Sequence, residues 1–432
     1  MFEVGQKVDA QIESLAFQGH GIAKPQGFTV FVPRGAPLDH AQIEITNVKK
    51  HFAFGTLAKI VTPSPHRATP PCTYFDRCGG CHYQHLQPEL VEQEKRKQIN
   101  DTFMRMGPGT IDLSAFEYGP SSWGYRNRIT IRRDQGKQGF VAWDDFETLD
   151  IETCLIANSE INLAWKEIKP SISTINSKVL PFVMLRKIQN QIAVIFSVTK
   201  DFNKDELTKR FANLPYLFYT TTIKEGSPIA IGKDLNPLFN NPIYLEENVG
   251  DITYIVRPDL FFQTNIEVAN KMVQFVCDAL QTETDFILDM FCGSGLFSIA
   301  LAKQQKRVLG VEVQHEAIQC AKQSAILNGV DEHATFRTGK AERILERLYK
   351  EGARFSHMIV DPPRRGLEEN FLSWIPKLET KKLIYISCSP PTIARDAKIL
   401  EKHGYILEKI TPFEMFPWTY HIELGAVFTK KA

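Results

Sequence analysis

Cys388 ends an apolar run, Leu383-Ile384-Tyr385-Ile386-Ser387, and is followed by Ser389-Pro390-Pro391. The run reads as a strand that the prolines stop. The thiol then projects at the strand's carboxyl end, where parallel sheets hold their ligands. A thiolate in that place can serve as a nucleophile. Two carboxylates share the setting. Asp361 closes His357-Met358-Ile359-Val360 ahead of Pro362-Pro363-Arg364-Arg365, and Glu423 ends the stretch Met415-Phe416-Pro417-Trp418-Thr419-Tyr420-His421-Ile422-Glu423. Aromatic and apolar neighbours would desolvate Glu423 and make it a useful base. The plainer alternatives are a packing cysteine, a turn-capping aspartate and a hydrogen-bonded structural glutamate.

A third feature points to a nucleotide-like ligand. Asp289-Met290-Phe291-Cys292-Gly293-Ser294-Gly295-Leu296 falls between a predicted strand and a predicted helix. Glycines there let the backbone turn tightly and approach a ligand. Glu312 ends the following strand, 17 residues after Gly295, where a carboxylate can accept hydrogen bonds from both ribose hydroxyls of an adenosine. The dinucleotide fingerprint is incomplete, because Ser298 stands where its third glycine would be. S-adenosylmethionine fits better than a nicotinamide cofactor.

Cys72, Cys78 and Cys81 lie in Cys-Thr-Tyr-Phe-Asp-Arg-Cys-Gly-Gly-Cys, and Cys154 is available as a fourth thiolate. Four thiolates suit zinc and an iron–sulfur cluster equally, and His82 or His85 could instead complete a Cys3His zinc site. Cys277, Cys292 and Cys320 read as packing residues.

These groups need a scaffold, and 432 residues is enough for two or three domains. The expected class is α/β in three parts. Residues 1–62 read as short strands of a small OB-like barrel, a common oligonucleotide binder. Residues 63–255 form a central α+β domain, entered through the proline-rich Val61-Thr62-Pro63-Ser64-Pro65-His66-Arg67 and carrying the cysteines. Residues 256–432 alternate strand and helix, which implies a Rossmann-like, doubly wound sheet. The central part also holds Trp123-Gly124-Tyr125-Arg126-Asn127-Arg128-Ile129-Thr130-Ile131-Arg132-Arg133. Aromatics interleaved with arginines suit single-stranded RNA. Strand alternation puts Arg126, Arg128 and Arg132 on one face and Arg133 on the other.

With 51 Lys+Arg against 50 Asp+Glu the net charge is +1, so RNA contact must come from local patches. No run of about 18 apolar residues exists to span a membrane. The first residues lack the apolar core of a secretory signal. The cytoplasm is expected, with reduced cysteines and no obligate protein partner.

The ordered motifs Phe261-Phe262-Gln263-Thr264-Asn265, Asp289–Gly295, Asp361-Pro362-Pro363-Arg364, Tyr385–Thr392 and Met415–Glu423 resemble those of the RNA uracil-C5 methyltransferase family. The barrel and cysteine segments are similar to the TRAM and iron–sulfur parts of its RumA-type branch. The resemblance implies Cys388 as nucleophile and Glu423 as base. It implies Gln263, Phe291, Glu312 and Asp361 as S-adenosylmethionine contacts, and a 4Fe–4S cluster, rather than zinc, on Cys72, Cys78, Cys81 and Cys154. It also implies 23S ribosomal RNA as substrate, with transfer RNA the alternative; a metal-stabilised RNA-binding protein without catalysis is the remaining reading. The chain departs from the family pattern at Leu296, Lys340 and Ser389. The chemistry asks that Cys388 have thiolate character, so a lowered pKa is expected, and that the target base be flipped out of any stack.

Overall fold

Apolar and polar residues alternate from Lys7 to Leu15 so that Val8, Ala10 and Ile12 all turn to one side. The same alternation in the next four strands closes the sheet on itself. In the computed structural model, which describes residues 2–143, 146–281 and 286–431, the strands Lys7–Leu15, His20–Ala23, Val30–Pro33, His40–Val48 and Ala53–Thr62 form a closed barrel. Ile12, Val30, Val32, Ile43 and Ile45 fill it. The barrel belongs to a unit made of Met1–Thr102, Val141–Glu147 and Phe416–His421.

Within this unit the proline-rich stretch is tied down rather than free. Arg67 donates to both carboxylate oxygens of the fully buried Asp39, at 2.8 and 2.6 Å. Removing one member of such a buried pair costs about 3–5 kcal/mol. Most of the helix Pro88–Met106 also belongs here, and Glu94 on it accepts the Leu15 backbone N–H at 2.9 Å.

The second unit comprises Phe103–Phe140, Thr148–Met415 and Ile422–Ala432. Its central part is a mixed seven-stranded sheet in which Arg128–Asp134, Phe182–Ile188 and Gln191–Val198 are neighbours. The helix Ser159–Ile172 covers it with Ile161, Trp165, Ile168 and Ile172, the one-faced stripe expected of a packed helix. Asn158 caps that helix by accepting the Glu160 N–H at 3.0 Å.

The other part of the unit is a second seven-stranded sheet. Its spatial order is Ala334–Thr338, Val308–Glu312, Ile287–Met290, His357–Val360, Lys382–Ser387, Glu423–Lys430, Tyr405–Phe413. The first five strands are parallel. The last two pair antiparallel as a terminal hairpin. The Rossmann-like α/β sheet and the N-terminal barrel are therefore both present.

Candidate active site

Strand order reverses between Ile287–Met290 and His357–Val360. Helices leave in opposite directions at such a switch point, which opens a crevice at the carboxyl ends. Phe291, Glu312, Asp361 and Cys388 all stand at the ends of these parallel strands or one residue beyond. Glu423 arrives from the other direction. Its strand runs antiparallel, with Leu424 paired to Ser387, so the next step of the register sets Glu423 across from Cys388. Two residues 35 positions apart in the chain are thus brought to one edge by strand pairing.

The loop after Met290 is shaped for a ligand. Phe291 has φ +63°, a left-handed conformation that costs a non-glycine residue of order 1–3 kcal/mol. Gly295 (φ +87°) caps the helix Leu296–Lys303, and a Cβ on it would lie 3.1 Å from the Ala321 Cβ. Below the loop, the fully buried Asp289 accepts the Ser298 hydroxyl at 2.6 Å, while its other oxygen has no hydrogen-bond partner in the structure. Glu312 accepts the backbone N–H groups of Val313 and Gln314 at 2.7 and 2.9 Å, which fixes its carboxylate. The glycine loop, the held acid of the second strand and the unsatisfied carboxylate oxygen fit the adenosine and sulfonium ends of S-adenosylmethionine.

Carboxylates crowd this edge. Asp361 is pushed up to about 7, first by burial and then by Asp289 and Glu312. Asp289 is also raised to about 7 by burial. Glu423, 7% exposed, is raised well above the ordinary carboxylate range by burial and then by Asp361, with Arg364 opposing. Cys388 moves against expectation. Its thiol is pushed up to about 12 by burial, then by Glu423 and Asp361, and Arg364 only partly offsets them. Reading lone residues could not anticipate that both acids would act on the sulfur. One feature favours the thiolate: Cys388 immediately precedes Ser389, the N-cap of the helix Pro390–Lys402, and helix N-termini stabilise nearby negative charge.

Other residues, not singled out in the sequence, hold these groups. The fully buried Asp396 accepts the Leu367 N–H at 2.9 Å and the Tyr385 hydroxyl at 2.7 Å. It thereby ties the loop after Asp361 to the strand that ends at Cys388. Arg186, 1% exposed, donates to the carbonyl oxygens of Arg257, Pro258 and Leu260. That fixes the chain entering Phe261–Asn265, where Gln263 is buried. Asn127 continues the restraint by donating to the Thr264 and Gln263 carbonyls at 2.9 and 3.1 Å. An arginine inside the apolar strand Phe182–Ile188 was the available signal for Arg186. An acid closing the apolar Ile287–Met290 was the signal for Asp289.

The arginine-rich segment divides as alternation predicts. Arg133 is buried and donates to Ile172, Ile175 and Leu180 carbonyls at 2.6–2.7 Å, a structural role. Arg128 and Arg132 are only half-buried on the other face. Trp123 and Tyr125 line a cavity of about 300 Å³ together with Asn127, Asn158 and Lys187.

The cysteine segment sits in the first unit, folded around Arg34. That guanidinium donates to the carbonyls of Cys81 (2.7 Å), Phe75 (2.7 Å) and Cys78 (3.1 Å) and lies 3.9 Å over the Phe75 ring. The Gly80 N–H donates to the Cys78 sulfur at 3.4 Å. Cys154 lies in the second unit, where Asn162 brackets its backbone. Among the described residues, no three His, Cys, Asp or Glu side chains are gathered to hold a metal ion. The segment has the donor chemistry for a cluster but not, as placed, its geometry. Its backbone is organised by the guanidinium on its carbonyls. Cys277 and Cys320 are buried, with thiols raised to about 11 and about 12 by burial, consistent with packing.

The chain is similar to known proteins over nearly its whole length. Residues 89–431 match the family model described as tRNA (uracil-5-)-methyltransferase, and residues 2–58 match the TRAM domain. An RNA methyltransferase of Bacillus cereus is 33% identical, over 99% of this chain and 97% of its own length. A Listeria innocua RNA methyltransferase is 30% identical over 100% of this chain and 99% of its own. Among solved structures, the Pyrococcus abyssi tRNA (uracil-54, C5)-methyltransferase in complex with S-adenosyl-L-homocysteine superposes with a TM-score of 0.79. It shares 27% identity, over 98% of this chain and all of that one.

Proposed function

The chain belongs to the tRNA (uracil-5-)-methyltransferase family, an S-adenosylmethionine-dependent group acting on RNA uracil C5, and from that premise we propose that it methylates one uridine of 23S ribosomal RNA through a covalent bond from Cys388. The observation that carries the covalent reading is the register that sets Cys388 across from Glu423 at the ligand edge of the sheet. The combination of barrel and cysteine motif supports the ribosomal substrate. Transfer RNA is the second reading, favoured by the similarity to the Pyrococcus abyssi enzyme.

Uracil C5 is a weak carbon nucleophile. Addition of the Cys388 thiolate to C6 forms the S–C6 bond and moves the C5=C6 electron pair to C5 and the adjoining carbonyl. S-adenosylmethionine, when bound, supplies an electrophilic methyl group on a sulfonium sulfur. C5 takes that methyl as the carbon–sulfonium bond breaks. Glu423 then accepts the C5 proton, the C5=C6 bond re-forms, and the Cys388 sulfur leaves with its electron pair. Burial suits Glu423 to this step, since a raised pKa makes an ionised carboxylate a stronger base. Gln263, Phe291, Glu312 and Asp361 are proposed to hold the cofactor.

For Cys72, Cys78, Cys81 and Cys154 the proposal is a structural 4Fe–4S cluster, with zinc the alternative. Donor chemistry and motif resemblance support it, and no catalytic step depends on it. Iron and acid-labile sulfide in anaerobically purified protein test it; a colourless zinc protein would replace it. Among the described residues no helix is long and apolar enough to cross a membrane, and a cytoplasmic location is part of the proposal. Incubating the protein with labelled methyl donor and separated ribosomal and transfer RNA tests the substrate. Label as 5-methyluridine in 23S RNA is expected, whereas label confined to transfer RNA would select the second reading.

A further inference from the structure

The outer surface of the N-terminal barrel carries a cluster of aromatic rings that its core does not need. Val30, Val32 and Ala53 point inward and are fully buried, while Phe31, Phe52 and Phe54 are half-exposed on the outside. Ring centroids are 5.5 Å apart for Phe31–Phe52, 5.6 Å for Phe52–Phe54 and 5.7 Å for Phe31–Phe54. His20 adjoins the cluster, 6.1 Å from Phe54. Partly exposed aromatic rings grouped on one barrel face offer contact to unpaired bases.

Through His20 the cluster adjoins a cavity of about 400 Å³, whose lining includes His20, Arg34, His82, Trp143, Phe146 and Tyr420. That volume is within the range of about 300–1,000 Å³ typical of small-ligand sites. These residues come from three separate stretches of chain that one unit gathers. His82 and Tyr420 meet edge to face at 4.7 Å. The Trp143 indole N–H is committed to the Asp76 carbonyl at 2.8 Å, which locks the ring and leaves stacking as its remaining use. Arg34 supplies a cation held by three carbonyls, 6.0 Å from the Trp143 ring. Gly19 lets the barrel chain pass close against His82: a Cβ there would lie 2.9 Å from the His82 Cβ.

We propose that this cavity takes one unpaired nucleobase of the RNA, distinct from the uracil that is methylated, and that the Phe31–Phe52–Phe54 cluster contacts the neighbouring nucleotides. The assignment rests on RNA being the substrate. Planar aromatic walls and a fixed cation match a base and its phosphate. A bare anion would make no use of the rings, and a duplex offers no free base faces.

The test uses the full chain and a single-stranded RNA of about 16 nucleotides, a length one such barrel can bind, with 2-aminopurine placed at each position in turn. Quenching at one position is expected, and the same sequence as a duplex should compete poorly. Trp143→Ala and Phe54→Ala should each weaken single-stranded binding about fivefold to a hundredfold. Trp143→Phe should stay within about threefold, which separates lost stacking from lost folding. In methylation assays the Ala variants should raise KM for RNA and leave kcat at saturating RNA unchanged. Wild-type affinity in both Ala variants, or equal binding of duplex and single strand, overturns the proposal. A wild-type chain that methylates no RNA would instead remove the functional reading, with the binding arm still judging the cavity.

Discussion

Replacing Glu423 by Gln should move two properties of the same edge in opposite directions. Glu423 is the second-largest influence raising the Cys388 thiol to about 12, after burial. With a pKa near 12, roughly one molecule in ten thousand carries the thiolate at pH 8. The isosteric Gln removes the charge and keeps the packing, so the thiol should fall. Each unit it falls raises the thiolate fraction about tenfold. Release of free 5-methyluridine should nevertheless drop about 10²- to 10⁴-fold, the usual contribution of a positioned general base, while methyl transfer, which precedes the step Glu423 serves, is not blocked. Proton removal from C5 then becomes the blocked step, so the sulfur–C6 adduct should accumulate. The assay is alkylation of Cys388 with iodoacetamide at pH 7–9, followed by peptide mass spectrometry, beside single-turnover release of free 5-methyluridine RNA by the same preparations. Slower alkylation in the variant, or release of 5-methyluridine RNA at the wild-type rate, would refute the reasoning.

Other outcomes follow from the same geometry. In the wild type, Cys388 and Glu423 must both lose protons that burial helps retain, so the methylation rate should climb with pH from 6.5 to 9; a rate already flat at neutral pH counts against it. The folded pKa of Asp289, about 7, lies above its unfolded value near 3.9. Its contribution to stability is therefore full below about pH 4 and lost as pH rises through 7, by about 4 kcal/mol; Asp289→Asn should flatten the fall in Tm between pH 5 and 8, and an unchanged slope would contradict it. Arg186→Met leaves three carbonyls without their donor, each worth about 1–3 kcal/mol, so Tm should fall and S-adenosyl-L-homocysteine binding by calorimetry should weaken.

Much of this edge was legible because parallel α/β sheets place ligands by rule. Once Leu383–Ser387 and His357–Val360 read as strands, their terminal Cys388 and Asp361 had to share a side, and Gly293, Gly295 and Glu312 followed. The barrel was legible from period-two alternation. What escaped was non-local. The ionisation of Cys388 depends on Glu423 and Asp361, which meet it only through strand pairing, so the expected lowering became a rise. Arg186 and Asp396 act by satisfying backbone groups from distant segments, and no local pattern marks such partners. The arginine run held one anchor, Arg133, and only the carbonyls of Ile172, Ile175 and Leu180 around it reveal that it is not an RNA contact. The anchoring of the proline-rich stretch is equally non-local, since Asp39, its partner through Arg67, lies 28 residues upstream of that arginine.

The temporary sulfur–carbon bond can be read directly with RNA in which uridine is replaced by 5-fluorouridine. Fluorine at C5 cannot leave as a proton, so the chain should stall as a methylated protein–RNA adduct that survives denaturing electrophoresis, with the RNA fragment attached by mass spectrometry to Cys388. Cys388→Ala should bind this RNA and form no adduct. An adduct on another residue, or 5-methyluridine made by Cys388→Ala at the wild-type rate, would contradict the account.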